Sequence, residues 1–322
     1  MMTLKPSANP IPPTEQPRRR QLVRAEVPVR PPLQITERDL AILQAVDDYE
    51  VLTTTQILRL LFARTAGGAR GPLVQCQRRL AKLFHHGLLQ RDEQPTRLSE
   101  GRLPLLYTLE RAGAELLAHD QHVELRQLNW RPRQNKAQTS QFFLGHLLQV
   151  NDVRIEVSLA AQDHGYHLDW LDERTLKSQI GKDVVTVGEQ GAPAQRTTII
   201  PDGYCNLAGA NGRYHLFWEI DRRTVVGRAH PPERRDWARK VEAYIAYRKS
   251  GLFQQRFQAE NFRVLTVTTG EQRLANLKHI TEEMGGKARF WFTTFASLTA
   301  ETVLTAPIWE VAGRSQPLPL DI

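Results

Sequence analysis

The stretch from Ile199 to Arg222 reads IIPDGYCNLAGANGRYHLFWEIDR, and its acidic residues decide how the whole chain is read. A strand at Thr197-Thr198-Ile199-Ile200 is expected to end at Pro201-Asp202-Gly203, and a second apolar strand, His215-Leu216-Phe217-Trp218, runs into Glu219-Ile220-Asp221. Side chains along a strand return to one face at every second residue, so Glu219 and Asp221 are expected to share a face, with Asp202 brought beside them from the preceding strand. Clustered carboxylate oxygens suit a hard divalent cation, Mg2+ or Mn2+, which neutralises charge at a phosphodiester and activates water. Asp202, Glu219 and Asp221 are therefore the candidate metal ligands and catalytic carboxylates. Glu173, which follows an earlier strand around Leu168-Asp169-Trp170, is a further acidic candidate. The plainer alternative is that Asp202 caps a turn and Glu219 to Arg223 form an exposed strand end with local ion pairs.

Outward from this stretch, a long helix holds Arg235, Arg239, Lys240, Val241, Tyr244, Ile245, Tyr247 and Arg248, and an apolar strand from Arg263 to Thr268 follows it. Upstream, a helix starting at Phe142 carries Leu144, Leu147, Leu148, Val150, Val153, Ile155 and Val157, and a polar, Gly-rich insertion runs to Arg196. The order is helix, three strands, helix, strand.

The N-terminal part has a different rhythm. Thr36-x-x-Asp39 has the form of a capping box ahead of Leu40, Leu43 and Val46, and a second, shorter helix follows Thr53-Thr54 with Ile57, Leu60 and Leu61. Pro72 opens a third helix, running to His86, at a position where its missing N–H costs nothing. On that helix Cys76, Leu80, Leu83 and Phe84 form one face, whereas Gln75, Arg78, Arg79, Lys82 and His86 fall on the other. Leu88 to Arg91 and Leu105 to Leu109 then read as two strands around a polar turn with Arg97 and Arg102. Three helices and a two-stranded wing give the winged helix-turn-helix order. Gln and Arg side chains one turn apart can reach base edges and phosphates, so Gln75, Arg78, Arg79, Lys82, His86, Arg97 and Arg102 are the candidate DNA contacts.

At 322 residues the chain exceeds the usual single-domain size, and a composition of 41% hydrophobic and 24% charged residues is enough to build a sizeable core. The expected organisation is a Pro- and Arg-rich disordered arm at 1–34, a winged-helix domain at 35–128, a linker at 129–140, a second domain at 141–300 and a C-terminal tail at 301–322. The net charge of +8 favours a polyanionic partner; six Lys and Arg fall in residues 1–30 and nine between Arg59 and Arg102. No run of about 18 apolar residues occurs, and the first thirty residues lack an apolar signal segment, so a cytoplasmic protein with no membrane partner is expected. The two cysteines, Cys76 and Cys205, stand far apart and outside any C-x-x-C setting, which argues against a disulfide framework or a structural zinc.

The second part resembles the core of the PD-(D/E)-x-K nuclease superfamily, a restriction-endonuclease-like αβββαβ domain, giving an α+β or α/β fold class overall. In that superfamily the Pro-Asp and the Glu are metal ligands and a Lys assists the attacking water. Pro201-Asp202 and Glu219 match, but Asp221 stands where the Lys should be, and a carboxylate cannot stabilise the phosphorane as an ammonium does. Lys240 from the following helix, or Arg222 and Arg223, would have to supply that charge. From about Thr36 to Phe292 the chain resembles the bacterial replication-relaxation family, through His146 with Asn151-Asp152-Val153, Trp170-x-x-Glu173, Pro201-Asp202-Gly203, Phe217 to Arg222, Lys240 with Tyr244, and Val264 to Thr268 followed by Arg273. That resemblance implies a DNA-binding protein of a plasmid or mobile element acting in replication or DNA relaxation. It has double-stranded DNA as partner, leaves room for a replication or relaxation protein or a second copy of the chain as further partners, and nicks or cleaves DNA with Mg2+ or Mn2+ if catalytic. A non-catalytic accessory factor or transcriptional regulator on a degenerate nuclease fold is the competing expectation, and a protein-docking scaffold is a third.

Overall fold

A computed structural model describes residues 32–62, 70–94, 103–131, 141–179, 183–188, 195–210, 212–222 and 231–320. The arm up to residue 31, Arg97, Arg102, Arg223 and residues 132–140 of the expected linker lie outside the described residues, as does the side chain of Glu173.

The N-terminal part opens with α1 (Glu37–Asp48), at whose start the Asp39 carboxylate accepts the Thr36 N–H at 2.8 Å. A two-residue strand β1 (Leu52–Thr53) leads into α2 (Thr54–Leu61), capped reciprocally: Gln56 N–H donates to Thr53 Oγ1 at 3.1 Å and Thr53 N–H to Gln56 Oε1 at 2.9 Å. Then come α3 (Arg70–His85), β2 (Leu89–Asp92), β3 (Leu106–Leu109) and α4 (Arg111–Asp120). Pro72 sits two residues inside α3 rather than at its first position, still within the turn whose N–H groups have no helical partner. The strands form an antiparallel sheet in the order β1-β3-β2; β1 is too short for any alternation to mark it in the sequence.

The remainder is built on a six-stranded mixed sheet. After α5 (Gln141–Asp163) come β4 (His167–Asp172), α6 (Glu173–Gln179), β5 (Val184–Val187), β6 (Gln195–Thr198), β7 (Gly203–Gly209), β8 (Gly212–Asp221), α7 (Pro231–Lys249), α8 (Leu252–Phe257), β9 (Arg263–Thr268), α9 (Glu271–Glu283), β10 (Phe290–Thr294) and β11 (Glu310–Val311). The sheet order is β11-β10-β9-β8-β7-β4; β4, β7 and β8 pair antiparallel, β8, β9 and β10 parallel, and β11 antiparallel to β10.

The strand expected at 197–200 corresponds to β6, but it does not join this sheet. Its polar residues pair with β5 in a separate two-stranded ribbon, and the strand that carries the chain past Asp202 is β7, which starts just after it. The insertion before it also holds α6 and β5, elements too short and polar to announce themselves by periodicity.

Alternation along the strands assigns each side chain to one of two layers. Trp218, Ile220, Leu265 and Val267 face α5 and the C-terminal segment, whereas Phe217, Val264, Phe290 and Phe292 face Trp237, Val241 and Tyr244 of α7 and Leu274 and Leu277 of α9. The first of these layers continues without a break into Ile42, Leu43, Ile57, Leu80 and Leu83, so the N-terminal helices and the large sheet share a core. Residues beyond 300, expected as a tail, are part of it: Val303, Trp309, Val311 and Leu320 are buried, and Trp309 meets Trp218 edge to face at 6.2 Å.

Candidate functional site

The site lies where β7 begins and β8 ends. Register pairs Gly203 with Trp218, which sets Asp202 opposite Glu219 across the two strands. Gly203, on the other face of β7, leaves room for the Trp170 ring, since a Cβ there would stand 2.6 Å from Trp170 Cζ2. Asp202 is held at both carboxylate oxygens: His146 of α5 bonds Oδ1 at 2.9 Å through Nε2, and the Ile220 N–H donates to Oδ2 at 2.6 Å. Burial alone would raise the Asp202 carboxyl, but the His146 hydrogen bond, the Lys240 and His146 charges and the Ile220 N–H outweigh it and hold it below the usual range.

Glu219 is 2% exposed and points from β8 into the α7 layer. Lys240 and Tyr244, one turn apart on α7, both reach it: the Lys240 ammonium pairs with Oε2 and the Tyr244 hydroxyl donates to Oε1 at 2.7 Å. Burial pushes the Glu219 carboxyl up, Asp202 adds to the rise, and Lys240 and Tyr244 offset only part of it. The Lys240 ammonium, which burial alone would disfavour, is held charged by Glu219 and Asp202. Asp221, two residues on and on the same face, is engaged by Arg273 at the start of α9: Nε donates at 2.9 Å, Nη2 at 3.2 Å, and Thr268 Oγ1 adds a bond at 2.9 Å.

His146, Asp202, Glu219, Ile220, Asp221, Lys240 and Arg273 line a pocket of about 280 Å3 that also takes in Arg222, Asp236 and Trp237. Asp202, Glu219, Asp221 and Lys240 are thus brought together. Glu173 begins α6 at the end of β4. Among the described residues, no group of three or more His, Cys, Asp or Glu side chains is placed to hold a metal ion. Asp221 lines the pocket beside Asp202 and Glu219, with Arg273 and Thr268 bonded to its carboxylate, while the Asp202 and Glu219 carboxylates are each hydrogen-bonded by other partners.

His146 and Arg273 line the pocket and Tyr244 bonds Glu219, three residues that the sequence marked only through the family resemblance, without a role. The one local signal was the spacing of Lys240 and Tyr244. His146 and Arg273 lie 56 residues before Asp202 and 52 after Asp221, and only the fold joins them.

On α3, Gln75 and Arg78 are exposed and Lys82 half-buried, and His86 follows in the turn after the helix. Arg79 turns the other way: its guanidinium pairs with the fully buried Asp39 carboxylate, and Nη2 also donates to Gln34 O at 2.7 Å. A buried carboxylate at the start of α1 draws the nearest cation inward, which removes Arg79 from the outward-facing set.

Fold and pocket together define a mixed α+β protein whose central sheet ends in a cleft of carboxylates matched by cations. Within that class the chain belongs to the replication-relaxation family, whose model matches residues 43–261. No curated protein matches it significantly. Among solved structures, the restriction endonuclease FokI bound to DNA is similar at 13% identity over 81% of this chain and 43% of that one; with a TM-score of 0.22 the likeness carries no argument. No helix among the described residues is long and apolar enough to cross a membrane.

Proposed function

We propose that this protein binds double-stranded DNA of a plasmid or mobile element in replication or DNA relaxation, and that its pocket nicks or cleaves a phosphodiester. The observation that carries the reading is the meeting of Asp202 and Glu219 with Lys240, which comes from the next helix to the place where the strand itself offers Asp221. An ammonium there supplies the positive charge that a pentavalent phosphorane needs. Asp202 and Glu219 would hold Mg2+ or Mn2+, which supplies further charge neutralisation and a more acidic bound water. The three N-terminal helices with the β2-β3 hairpin serve as a winged helix, α3 lying in the major groove with Gln75 and Arg78 toward base edges and Lys82 toward phosphate.

A second reading, a non-catalytic DNA-binding accessory factor or regulator, is favoured by one observation, the pairing of Asp221 with Arg273. Incubating supercoiled plasmid with the protein, with and without Mg2+ or Mn2+, separates the two. Metal-dependent conversion to the nicked or linear form that Glu219→Gln reduces below detection is the expected result. Binding without conversion, in wild type and variant alike, leaves the accessory reading.

A further inference from the structure

A second pocket of about 300 Å3, at the lower end of the range of small-molecule sites (about 300–1,000 Å3), adjoins the first and shares His146 and Asp202 with it as a common wall. It lies between the end of α1, the first turns of α5, and β4. Its surfaces are planar: Tyr49, Phe143 and Trp170 are aromatic, and the Arg154 guanidinium stands 4.1 Å over the Tyr49 ring and 5.8 Å from that of Trp170. Phe143 is 51% exposed although it is a large apolar side chain. The Trp170 indole N–H, at the edge of this region, is buried without an acceptor.

The charges discriminate among occupants. Arg154 and Lys177 are balanced by Asp48, Glu50 and Asp202, so the pocket has no surplus of positive charge to take up a phosphate. A flat, uncharged group with polar edges fits both the aromatic surfaces and this mixture of donors and acceptors. Glu50 holds a left-handed φ of 61° directly after the C-cap Tyr49, the position at which helices commonly end in that conformation.

We propose that this pocket receives an unpaired nucleobase of the bound DNA, drawn out beside the backbone phosphate that lies at Asp202, Glu219 and Lys240. The inference rests on the DNA reading of the first pocket and adds to it: the protein engages a locally opened strand, and the exposed Phe143 forms the stacking surface, Trp170 being stacked on Trp218 at 5.8 Å. Stacking of a base on an aromatic side chain contributes roughly 1–3 kcal/mol. A base leaving the duplex gives up pairing and stacking of its own, which makes a base that is already unpaired the favoured occupant.

Fluorescence anisotropy in EDTA, which prevents metal-dependent cutting, tests this with three labelled DNAs: a fully paired duplex, the same duplex with a small mismatched bubble, and that bubble with abasic sites in place of its bases. Wild type is expected to bind the bubble more tightly than the duplex and to lose roughly 5- to 150-fold on the abasic DNA, the span that stacking of one base gives. Phe143→Ala, an exposed position, is expected to show that loss on the intact bubble and none beyond it on the abasic one. Equal binding of the bubble by variant and wild type, or an abasic penalty of the same size in both, overturns the inference while the DNA reading stands on the paired duplex. Failure to bind any of the three overturns both.

Discussion

At the scale of single residues, the two carboxylates at the centre of the pocket titrate in opposite directions, and their variants should separate on a pH axis. Glu219 has a raised carboxyl, chiefly through burial, so the folded protein holds that proton more tightly than the unfolded chain does. Its contribution to stability therefore falls as pH rises from the ordinary glutamate value of about 4.3 toward the raised one. Glu219→Gln keeps an acceptor for Tyr244 and frees the half-exposed Lys240, so the variant should gain in melting temperature relative to wild type between pH 5 and pH 8. Lysine stays charged throughout that range and adds only a constant offset. Asp202 is held low despite burial, by His146 first among the opposing groups, and contributes stability above about 3.9 that is lost as pH falls through its lowered value. Asp202→Asn should cost about 1.5–3 kcal/mol at neutral pH, the range for hydrogen bonds to a charged group, with the gap closing in acid. Chemical denaturation at pH 4, 5.5 and 8 reads both trends; parallel curves for the two variants would refute the opposed titrations. The sequence exposed these carboxylates because strand alternation and the Pro-Asp-Gly turn are local. It named His146 and Arg273 only through the family resemblance and did not show their pairing, since no local rule links His146 to Asp202 or Arg273 to Asp221.

Elements were legible in proportion to how much their own pattern decided them. The helices α1, α2, α3, α5 and α7 and the strand β9 follow their apolar periods and caps. The elements β5 and α6 lie in a polar stretch and take their form from what they pack on; Leu176 and Val185 are buried against the α7 layer. The segment 197–200 read as a strand of the main sheet because β-branched residues favour extended backbone, yet propensity does not choose the pairing partner. On α3 the helical wheel placed Arg78, Arg79 and Lys82 together, and tertiary structure divided them. Arg79→Ala should leave the buried Asp39 unpaired and cost about 3 kcal/mol or more, visible as a lowered melting temperature. Arg78→Ala with Lys82→Ala should stay within about 0.5 kcal/mol of wild type in stability. The same pair should lower the salt slope of duplex binding by about 0.9 for each phosphate that the protein no longer neutralises. An unchanged slope in the double variant would remove α3 from the proposed interface, and an unchanged melting temperature in Arg79→Ala would refute the structural role of that pair.

For the whole molecule, the boundary expected near residues 129–140 separates two folding patterns but not two cores. Asn129 N–H donates to Asp47 Oδ2 at 3.0 Å and Trp130 Nε1 to Leu109 O at 3.1 Å, so the start of that segment is fastened to the N-terminal part. The helix α5 does the larger share of the joining. Its buried Asn151 donates to the Tyr49 and Val51 carbonyls at 3.1 and 2.7 Å. Asp152 accepts from Gln56 at 2.7 Å, and Glu156 takes the Arg59 guanidinium and the Ala300 N–H. Because Glu156 thereby ties α2 to the chain at Ala300, the first and last described thirds of the chain meet on one side chain of α5. The nucleobase pocket is formed at this same junction, with Tyr49 on one part and Phe143 and Trp170 on the other, so its shape depends on the two parts staying docked. Unfolding should then be a single transition by both calorimetry and tryptophan fluorescence. Asn151→Ala removes the side-chain donor of the Val51 carbonyl, at about 1–3 kcal/mol, while the Tyr49 carbonyl keeps the Val51 N–H, and should lower that transition without splitting it. Two resolved transitions in wild type would mean that the shared core does not couple the parts. Two transitions in Asn151→Ala alone would mean that this asparagine carries the coupling.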